Sequence, residues 1–159
     1  MELKNQEIQF IEKFGLFFEK SSSFPRIAGK IFGYLLICNP PEQTQQQIAE
    51  SLSIAKGSAS TIIKLLVQTQ ILEEFTKPNF RPKYYRIIDG GWEKLFLKKL
   101  QHLSIVRKLL GEGKTLLNDK PKELTKRIND LDNLYSFFEK ELPILISKWN
   151  KLKNNKKEA

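Results

Sequence analysis

Residues 44–88 read TQQQIAESLSIAKGSASTIIKLLVQTQILEEFTKPNFRPKYYRII, and this stretch decides the fold. Thr44 is typical of a helix N-cap, because its hydroxyl accepts a hydrogen bond from a free backbone N–H of the first turn. Apolar residues at helical spacing then predict a short helix, a turn at Ser53 and Ile54, and a second helix from about Lys56.

The predicted second helix has two chemically different faces. Its apolar stripe consists of Ala59, Ile62, Ile63 and Leu66, and its polar face carries Lys56, Ser58, Ser60, Thr61, Lys64 and Gln68. Small hydroxyls and lysines suit a DNA groove, since they approach base edges and phosphates without steric conflict. Gly57 leaves room for close backbone approach at the helix N-terminus, where free N–H groups favour a phosphate.

Two strand-like runs follow, at 71–75 and 84–88, joined by a loop with two prolines that reads as a hairpin tip. The loop cations Lys77, Arg81 and Lys83 are placed to reach a phosphate backbone or a minor groove. Taken alone, the loop also fits a solvated turn. Its position directly after two helices favours a wing, and the whole order predicts a winged helix-turn-helix that inserts its second helix into the major groove of DNA.

The stretch from about Phe14 to Ile88 resembles the MarR superfamily of bacterial transcriptional regulators, and within it the GbsR-like subgroup. The closest part is FPRIAGKIFGYLLICNPPEQTQQQIAESLSIAKGSAS, residues 24–60, with a Pro-Arg-x-x-Gly-x-x-x-Gly helix, a proline-containing break and the recognition-helix entry. The resemblance implies a homodimeric DNA-binding protein whose outer helices dimerise, with room for a small effector. It matches Ser58, Ser60, Thr61 and Lys64 to groove-facing residues and Arg81 to a basic wing residue.

Two residues depart from the family pattern. Ala55 stands where many relatives have a Ser or Thr to cap the recognition helix, so that cap is weaker or begins at Ser53. Gln70 stands where a glycine commonly ends the same helix, which makes a left-handed C-cap less favourable. Both departures affect helix boundaries by a residue or two.

The flanking segments predict helices outside the module. An N-terminal helix ends near residue 20, and a second runs from Pro25 to about Cys38, where Gly29 and Gly33 leave a flat strip for another helix. After the wing, a helix extends from Trp92 to Leu110, Gly111–Gly113 breaks it, and a longer helix follows with a kink expected at Pro143.

These outer helices carry more apolar surface than a wing module of this size covers. We therefore predict an interface between two copies, with intramolecular packing as the alternative. The predicted organisation is one MarR-like domain over 1–159, mainly α with a small β-wing. It comprises the winged helix-turn-helix at 24–90, dimerisation helices at 1–20 and 91–153, and a solvated, frayed basic tail at 154–159.

Composition favours a polyanionic partner, such as double-stranded DNA. The chain has 159 residues, a net charge of +9 and a pI near 9.6. Between Ala55 and Arg86 six basic residues face two acidic ones, so the predicted DNA face is locally basic.

The sequence offers no site for catalysis, a metal or a cofactor. Cys38 is the only cysteine and His102 the only histidine, so neither a disulfide nor a Cys/His cluster is expected. No apolar run approaches the roughly 20 residues of a membrane span, and the N-terminus lacks the plan of a signal peptide. We expect a non-enzymatic, cytoplasmic protein associated with the nucleoid.

The sequence leaves two alternatives each for effector binding and for the role of Cys38. Seven aromatic residues are candidates to enclose a cationic effector by cation–π attraction, with ordinary packing as the alternative; they are Phe14, Phe17, Phe18, Trp92, Phe96, Tyr135 and Trp149. No effector-binding residue is assigned. Cys38 reads as a buried, inert thiol, with a redox sensor as the alternative.

The predicted function is sequence-specific regulation of transcription, as a repressor that binds an inverted-repeat operator as a homodimer. Two alternatives remain at the level of sequence. One is a winged-helix adaptor that binds an acidic protein, and the other is an architectural DNA binder with little sequence preference.

Overall fold

Helices dominate the chain, and one small antiparallel sheet lies among them. The computed structural model describes residues 3–21 and 23–158. Its elements in chain order are α1 Asn5–Ser21, α2 Arg26–Ile37, β1 Gln43–Thr44, α3 Gln45–Ser51, α4 Lys56–Gln68, β2 Leu72–Thr76, β3 Lys83–Ile87, α5 Gly91–Leu100, α6 His102–Thr115 and α7 Lys122–Glu158. The predicted fold class, mainly α with a small β-wing, is confirmed.

The chain forms two compact units, one ending at Leu95 and the other beginning at Phe96. The first unit contains α1 to α4 and the sheet. Its core holds the largest fully buried side chains, which are Tyr34, Phe18, Ile11, Ile31, Ile48, Ile63, Leu66, Ile71 and Leu72. The finer division of the chain at 24–90, 91–153 and 154–159 stays a prediction.

The two N-terminal helices meet at the glycine strip of α2. A Cβ added to Gly29 would lie 2.3 Å from the backbone oxygen of Phe14, so only glycine permits this approach. Phe18 is fully buried beside it. The predicted close contact of another helix at this strip is confirmed, and the partner helix is α1.

Helix α3 begins with a reciprocal pair of hydrogen bonds. The Gln47 backbone N–H donates to Thr44 Oγ1 at 3.2 Å, and the Thr44 backbone N–H donates to Gln47 Oε1 at 2.8 Å. This capping box satisfies two backbone donors that have no partner within the helix. The predicted N-cap at Thr44 is therefore confirmed.

Both helices of the helix-turn-helix end on a residue in the left-handed region, Ser53 at φ 51° and Gln70 at φ 60°. After α4, Gln70 N–H donates to Val67 O and Ile71 N–H donates to Leu66 O, both at 3.0 Å. These two bonds form a Schellman motif, here with glutamine where glycine is commonest. Gln70 adopts the left-handed cap although the side chain makes it less favourable.

The equivalent bonds after α3 run from Ser53 N–H to Glu50 O at 3.2 Å and from Ile54 N–H to Ala49 O at 3.0 Å. Helices α3 and α4 therefore both end in a Schellman motif. Ala55 then holds the N-cap position of α4 and makes no side-chain hydrogen bond there. The N-cap of α4 is therefore weak, as the sequence predicts for Ala55.

The sheet has the strand order β1-β3-β2, and both pairs are antiparallel. Leu72 pairs with Ile87 at the base of the β2–β3 hairpin and Thr76 pairs with Lys83 near its tip. At the tip, Phe80 N–H donates to Lys77 O at 3.1 Å. Pro78 and Asn79, the latter at φ 65°, occupy the central positions, as a type II turn requires.

The expected helix from Trp92 to Leu110 is two helices, because α5 ends at Leu100 and α6 begins at His102. The expected break at Gly111–Gly113 is wrong, since α6 continues through both glycines to Thr115. A Cβ on Gly113 would lie 2.6 Å from Ile128 Cδ1. Packing of α7 against α6 at this point explains why a weak helix former is retained within a helix.

The C-terminal segment differs from the predicted frayed tail. Helix α7 runs through Glu158, with Pro143 inside it, so residues 154–158 are helical. Lys156 and Lys157 lie in its last turn, where cations complement the helix dipole. Ala159 lies outside the described residues.

Replacing Gln70 with glycine is expected to raise the free energy of unfolding by about 0.5–1 kcal/mol, because glycine adopts φ > 0 without a Cβ penalty. Thermal melts of Gln70→Gly and Gln70→Ala provide the measurement. The alanine control keeps the Cβ and is expected to give no such gain. Equal melting temperatures for the two variants would show that Gln70 is unstrained.

Candidate nucleic-acid interface

Helix α4 presents the polar face that the sequence predicts. Lys56, Ser58, Thr61 and Lys64 are exposed and Ser60 is half-buried. The opposite face is buried in the first unit and consists of Ala59, Ile62, Ile63 and Leu66. The structure therefore brings the five predicted residues of α4 to the accessible part of one helix.

The N-terminus of α4 is open to a ligand. Ala55 supplies no capping oxygen and the first turn contains no acidic side chain, so the first N–H groups have no side-chain acceptor there. Around Gly57, a Cβ would meet nothing within 4 Å. The Thr61 hydroxyl donates to Gly57 O at 3.0 Å, which keeps its oxygen lone pairs available as acceptors.

A groove of about 400 Å³ lies beside this helix end. Gln45 and Gln46 of α3 line it together with Lys56, and Pro82 and Lys83 approach from the hairpin. Gln45 Nε2 donates to Lys56 O at 3.4 Å across the turn. The groove joins both helices of the helix-turn-helix to the wing, and it offers amide and ammonium donors to an anionic ligand.

Two of the three predicted wing cations are paired with carboxylates. Lys77 Nζ lies 2.7 Å from Glu42 Oε1, and Lys83 Nζ lies 2.7 Å from Glu74 Oε1. The hydrogen bond from Lys77 holds the pKa of Glu42 below its usual value, and Lys83 does the same for the pKa of Glu74. Lys77 also stands 4.4 Å from the ring centroid of Tyr84. These pairings hold the hairpin, and sequence patterns gave no signal for them.

Arg81 differs from its neighbours in the wing. Its side chain is exposed and has no carboxylate partner among the described residues. The third paired cation of the hairpin, Arg86, bridges to Glu73 and lies over the ring of Phe75. Arg81, Lys56 and Lys64 are thus the cations of this surface that are left for an external anion.

A buried polar triangle, which the sequence analysis missed, positions α3. Tyr34 is 1% exposed, and its hydroxyl donates to Gln43 Oε1 at 3.0 Å and lies 3.0 Å from Ser51 Oγ. Gln43 Nε2 donates in turn to Pro40 O at 2.7 Å. Burial raises the pKa of Tyr34, so the phenol stays protonated. Since these bonds join α2, β1 and α3, they fix the first helix of the module against the core.

Three comparisons with known proteins place the chain. The sequence model of MmpR5-like MarR family transcriptional regulators matches residues 90–152. The HTH-type transcriptional regulator MmpR5 of Mycobacterium tuberculosis is 26% identical over 132 residues, which cover 83% of this chain and 79% of that protein. The chain is therefore similar to MarR-family transcriptional regulators.

Solved structures agree at the level of the fold. A crystal structure of a transcriptional regulator matches with a TM-score of 0.66 and 23% identity, covering 92% of this chain and 99% of the other. MepR, a transcription regulator of the Staphylococcus aureus multidrug efflux pump MepA, matches with a TM-score of 0.41 and 17% identity over 85% of this chain and 90% of its own.

The candidate effector aromatics of the chain fall into two groups. Phe18 and Trp92 stack at 5.6 Å between ring centroids, and Phe32 stacks on Trp92 at 5.0 Å. Phe14 and Phe17 join this cluster in the first unit. The rings pack on one another here, while the remaining three candidates, Phe96, Tyr135 and Trp149, belong to the second unit.

Cys38 is buried, and its thiol donates to Leu35 O at 3.8 Å. Burial raises the pKa of the thiol to about 11. Since the thiolate is the species that oxidants attack, this environment favours an inert residue over a redox sensor.

No group of three or more His, Cys, Asp or Glu side chains within 3–21 and 23–158 is arranged to hold a metal ion. Over the same part of the chain, no helix has the length and apolar character needed to cross a membrane.

Gly57→Ala is expected to preserve or raise the melting temperature, since alanine is favoured over glycine in a helix and the added methyl meets no atom. The methyl occupies the space through which a phosphate approaches the backbone, so DNA affinity should fall about tenfold. Fluorescence anisotropy with a cognate duplex measures the effect. Gly111→Ala is the matched control, because its Cβ also meets nothing within 4 Å. Wild-type affinity of Gly57→Ala would exclude close backbone contact at this helix end.

The Cys38 thiol is expected to react about 100-fold more slowly with a disulfide reagent at pH 8 in the native protein than in guanidinium. A rise of the pKa from 9.0 to about 11 lowers the thiolate fraction by that factor. Absorbance of the released thiol follows the reaction. Equal native and denatured rates would indicate an accessible, activated thiol.

Proposed function

We propose that the protein binds an inverted-repeat operator as a homodimer and represses transcription by occluding a promoter. The observation that carries this proposal is the exposed face of α4, where Lys56 and Lys64 flank Ser58 and Thr61 and no carboxylate neutralises the lysines among the described residues. Hydroxyls suit base edges and lysines suit phosphates. Among the sequence-predicted residues, Ser58, Ser60 and Thr61 are assigned to the groove, and Lys56, Lys64 and Arg81 to phosphates or the minor groove.

The two remaining predicted residues, Lys77 and Lys83, receive a different role. Their ion pairs with Glu42 and Glu74 hold the wing in place. An ion-paired lysine can still share its charge with a phosphate, although part of its attraction is already satisfied. We assign both residues to wing positioning first and to DNA contact second.

Dimerisation is supported by the apolar surface of the second unit. Helix α6 has no buried residue, and large apolar side chains remain exposed on α6 and α7. They include Ile105, Leu109, Leu131, Leu134, Phe137, Leu145, Trp149 and Leu152. Many exposed large apolar side chains on two helices favour an interaction site, and a second copy is the partner that the family fold offers. In such a homodimer, two α4 helices would read half-sites about 34–36 Å apart.

The subgroup and the effector belong to this proposal as well. The GbsR-like resemblance rests on residues 24–60, whereas the matched MmpR5-like model covers residues 90–152. The two regions do not overlap, and we retain the GbsR-like placement as a proposal. A small effector would act by favouring one spacing or mobility of the two α4 helices, since a ligand shifts only states that it binds differently. A cytoplasmic, nucleoid-associated location follows from the same proposal.

Selection from a random duplex pool is expected to enrich an inverted repeat. Lys64→Ala and Arg81→Ala should each weaken binding, and each should reduce the slope of log affinity against log salt by about 2, since a dimer loses two phosphate contacts. Lys13→Ala is the matched control, as Lys13 is an exposed lysine of α1 and is not among the proposed contact residues. Its affinity and salt slope should equal those of the wild type.

Other outcomes identify the alternatives. Salt-sensitive binding without enrichment would indicate an architectural DNA binder. Absence of binding at low salt would favour the protein adaptor, which would tolerate both substitutions.

A further inference from the structure

Phe80 at the wing tip is 60% exposed, although the other rings of the hairpin are covered. Phe75 and Tyr84 stack on each other at 6.0 Å, and each also carries a cation above its face. Among the described residues, Phe80 has neither a ring partner nor a cation partner. A large apolar side chain is thus held in water in the loop between β2 and β3.

The backbone holds Phe80 in this position. Pro78 and Asn79 form the type II turn, Phe80 N–H closes it on Lys77 O at 3.1 Å, and Pro82 follows two residues later. Two prolines and a closed turn leave the segment few conformations to lose on binding. The ring is therefore displayed by a stiff tip.

The charge next to Phe80 indicates the chemistry of its partner. Arg81 is exposed and unpaired among the described residues, whereas the nearby Lys77 and Lys83 are bridged to Glu42 and Glu74. The loop thus offers one exposed apolar ring and one free guanidinium at adjacent positions of the chain. A narrow minor groove attracts arginine, and apolar wedges such as phenylalanine enter minor grooves at base steps.

We infer that Phe80 enters the minor groove of the bound DNA beside Arg81 and gives the wing a preference for A·T pairs. This inference rests on the proposed DNA-binding function. Guanine places an amino group on the floor of the minor groove, and adenine does not. An apolar ring that enters the groove is obstructed by that amino group and leaves it without a hydrogen-bond partner, so A·T pairs are favoured where the ring lies.

The test uses the full-length protein and the inverted-repeat duplex obtained by selection. Phe80→Ala, Phe80→Leu and Arg81→Ala are compared by anisotropy across a salt series, and thermal melts confirm that each variant folds. In a second set of duplexes, 2,6-diaminopurine replaces adenine at the positions flanking the major-groove half-sites. This base adds the minor-groove amino group and leaves the major-groove edge unchanged.

Phe80→Ala should lower affinity by about 10- to 100-fold without changing the salt slope, because the ring carries no charge. Phe80→Leu should recover most of the loss, and Arg81→Ala should change the slope. Diaminopurine should weaken binding of the wild type at least fivefold more than binding of Phe80→Ala.

Wild-type affinity of Phe80→Ala, or an equal diaminopurine effect on both proteins, would overturn the inference. If Lys64→Ala still weakens binding in that case, the proposed function stands without this inference. If the wild type binds no duplex, both this inference and the proposed DNA-binding function are overturned.

Discussion

The left-handed residue after each helix of the helix-turn-helix is the constraint on which the module depends. Ser53 and Gln70 reverse the chain within one residue, and the next residue, Ile54 or Ile71, then donates back to the helix that has just ended. Ile71 is fully buried, so the reversal also delivers an apolar side chain to the core. The start of α4 and the start of β2 follow directly from these two reversals. A module with longer or looser connections would not hold α4 and the wing in one fixed arrangement.

The number of cations that the wing can offer to a ligand depends on their ion pairs more than on the composition of the wing. The sequence supplies an excess of cations between Ala55 and Arg86, but Lys77, Lys83 and Arg86 are each bridged to a carboxylate. Glu42, which lies outside that stretch, provides one of the three bridges. The free cations are consequently few and sit at defined points, on α4 and at the wing tip. Such a distribution favours oriented docking over diffuse attraction to any polyanion.

Local signals predicted the module well. The Thr44 cap, the two helices, the turn at Ser53 and the hairpin follow from short-range patterns, because capping, helical periodicity and proline placement act within a few residues. The boundaries of the outer helices were harder to predict from the sequence. Nothing in the residues around Gln101 signals the end of α5, and the glycines at 111 and 113 suggested a break that packing against Ile128 removes.

Interactions between distant parts of the chain were not predictable from a single sequence. The Tyr34–Gln43–Ser51 triangle and the Lys77–Glu42 bridge join residues from different elements. No spacing rule connects such residues, since their contact is a product of the completed fold. The five predicted residues of α4 lie on its accessible side, while the division between free and paired cations came only from the structure.

The carboxylates that bridge to the wing make the hairpin responsive to acid. Glu42 and Glu74 have pKa values lowered by their lysine partners, so each bridge contributes stability above the ordinary carboxyl pKa and loses it as the pH falls through the lowered value. Both groups are close to solvent, and the effect is correspondingly small. Protonation of Glu42 removes the bridge between Lys77, at the tip end of the hairpin, and the segment before α3, and protonation of both carboxylates leaves the hairpin with more net positive charge. In acid, the wing therefore gains charge and loses a small part of its attachment, while the buried apolar side chains beneath it do not titrate.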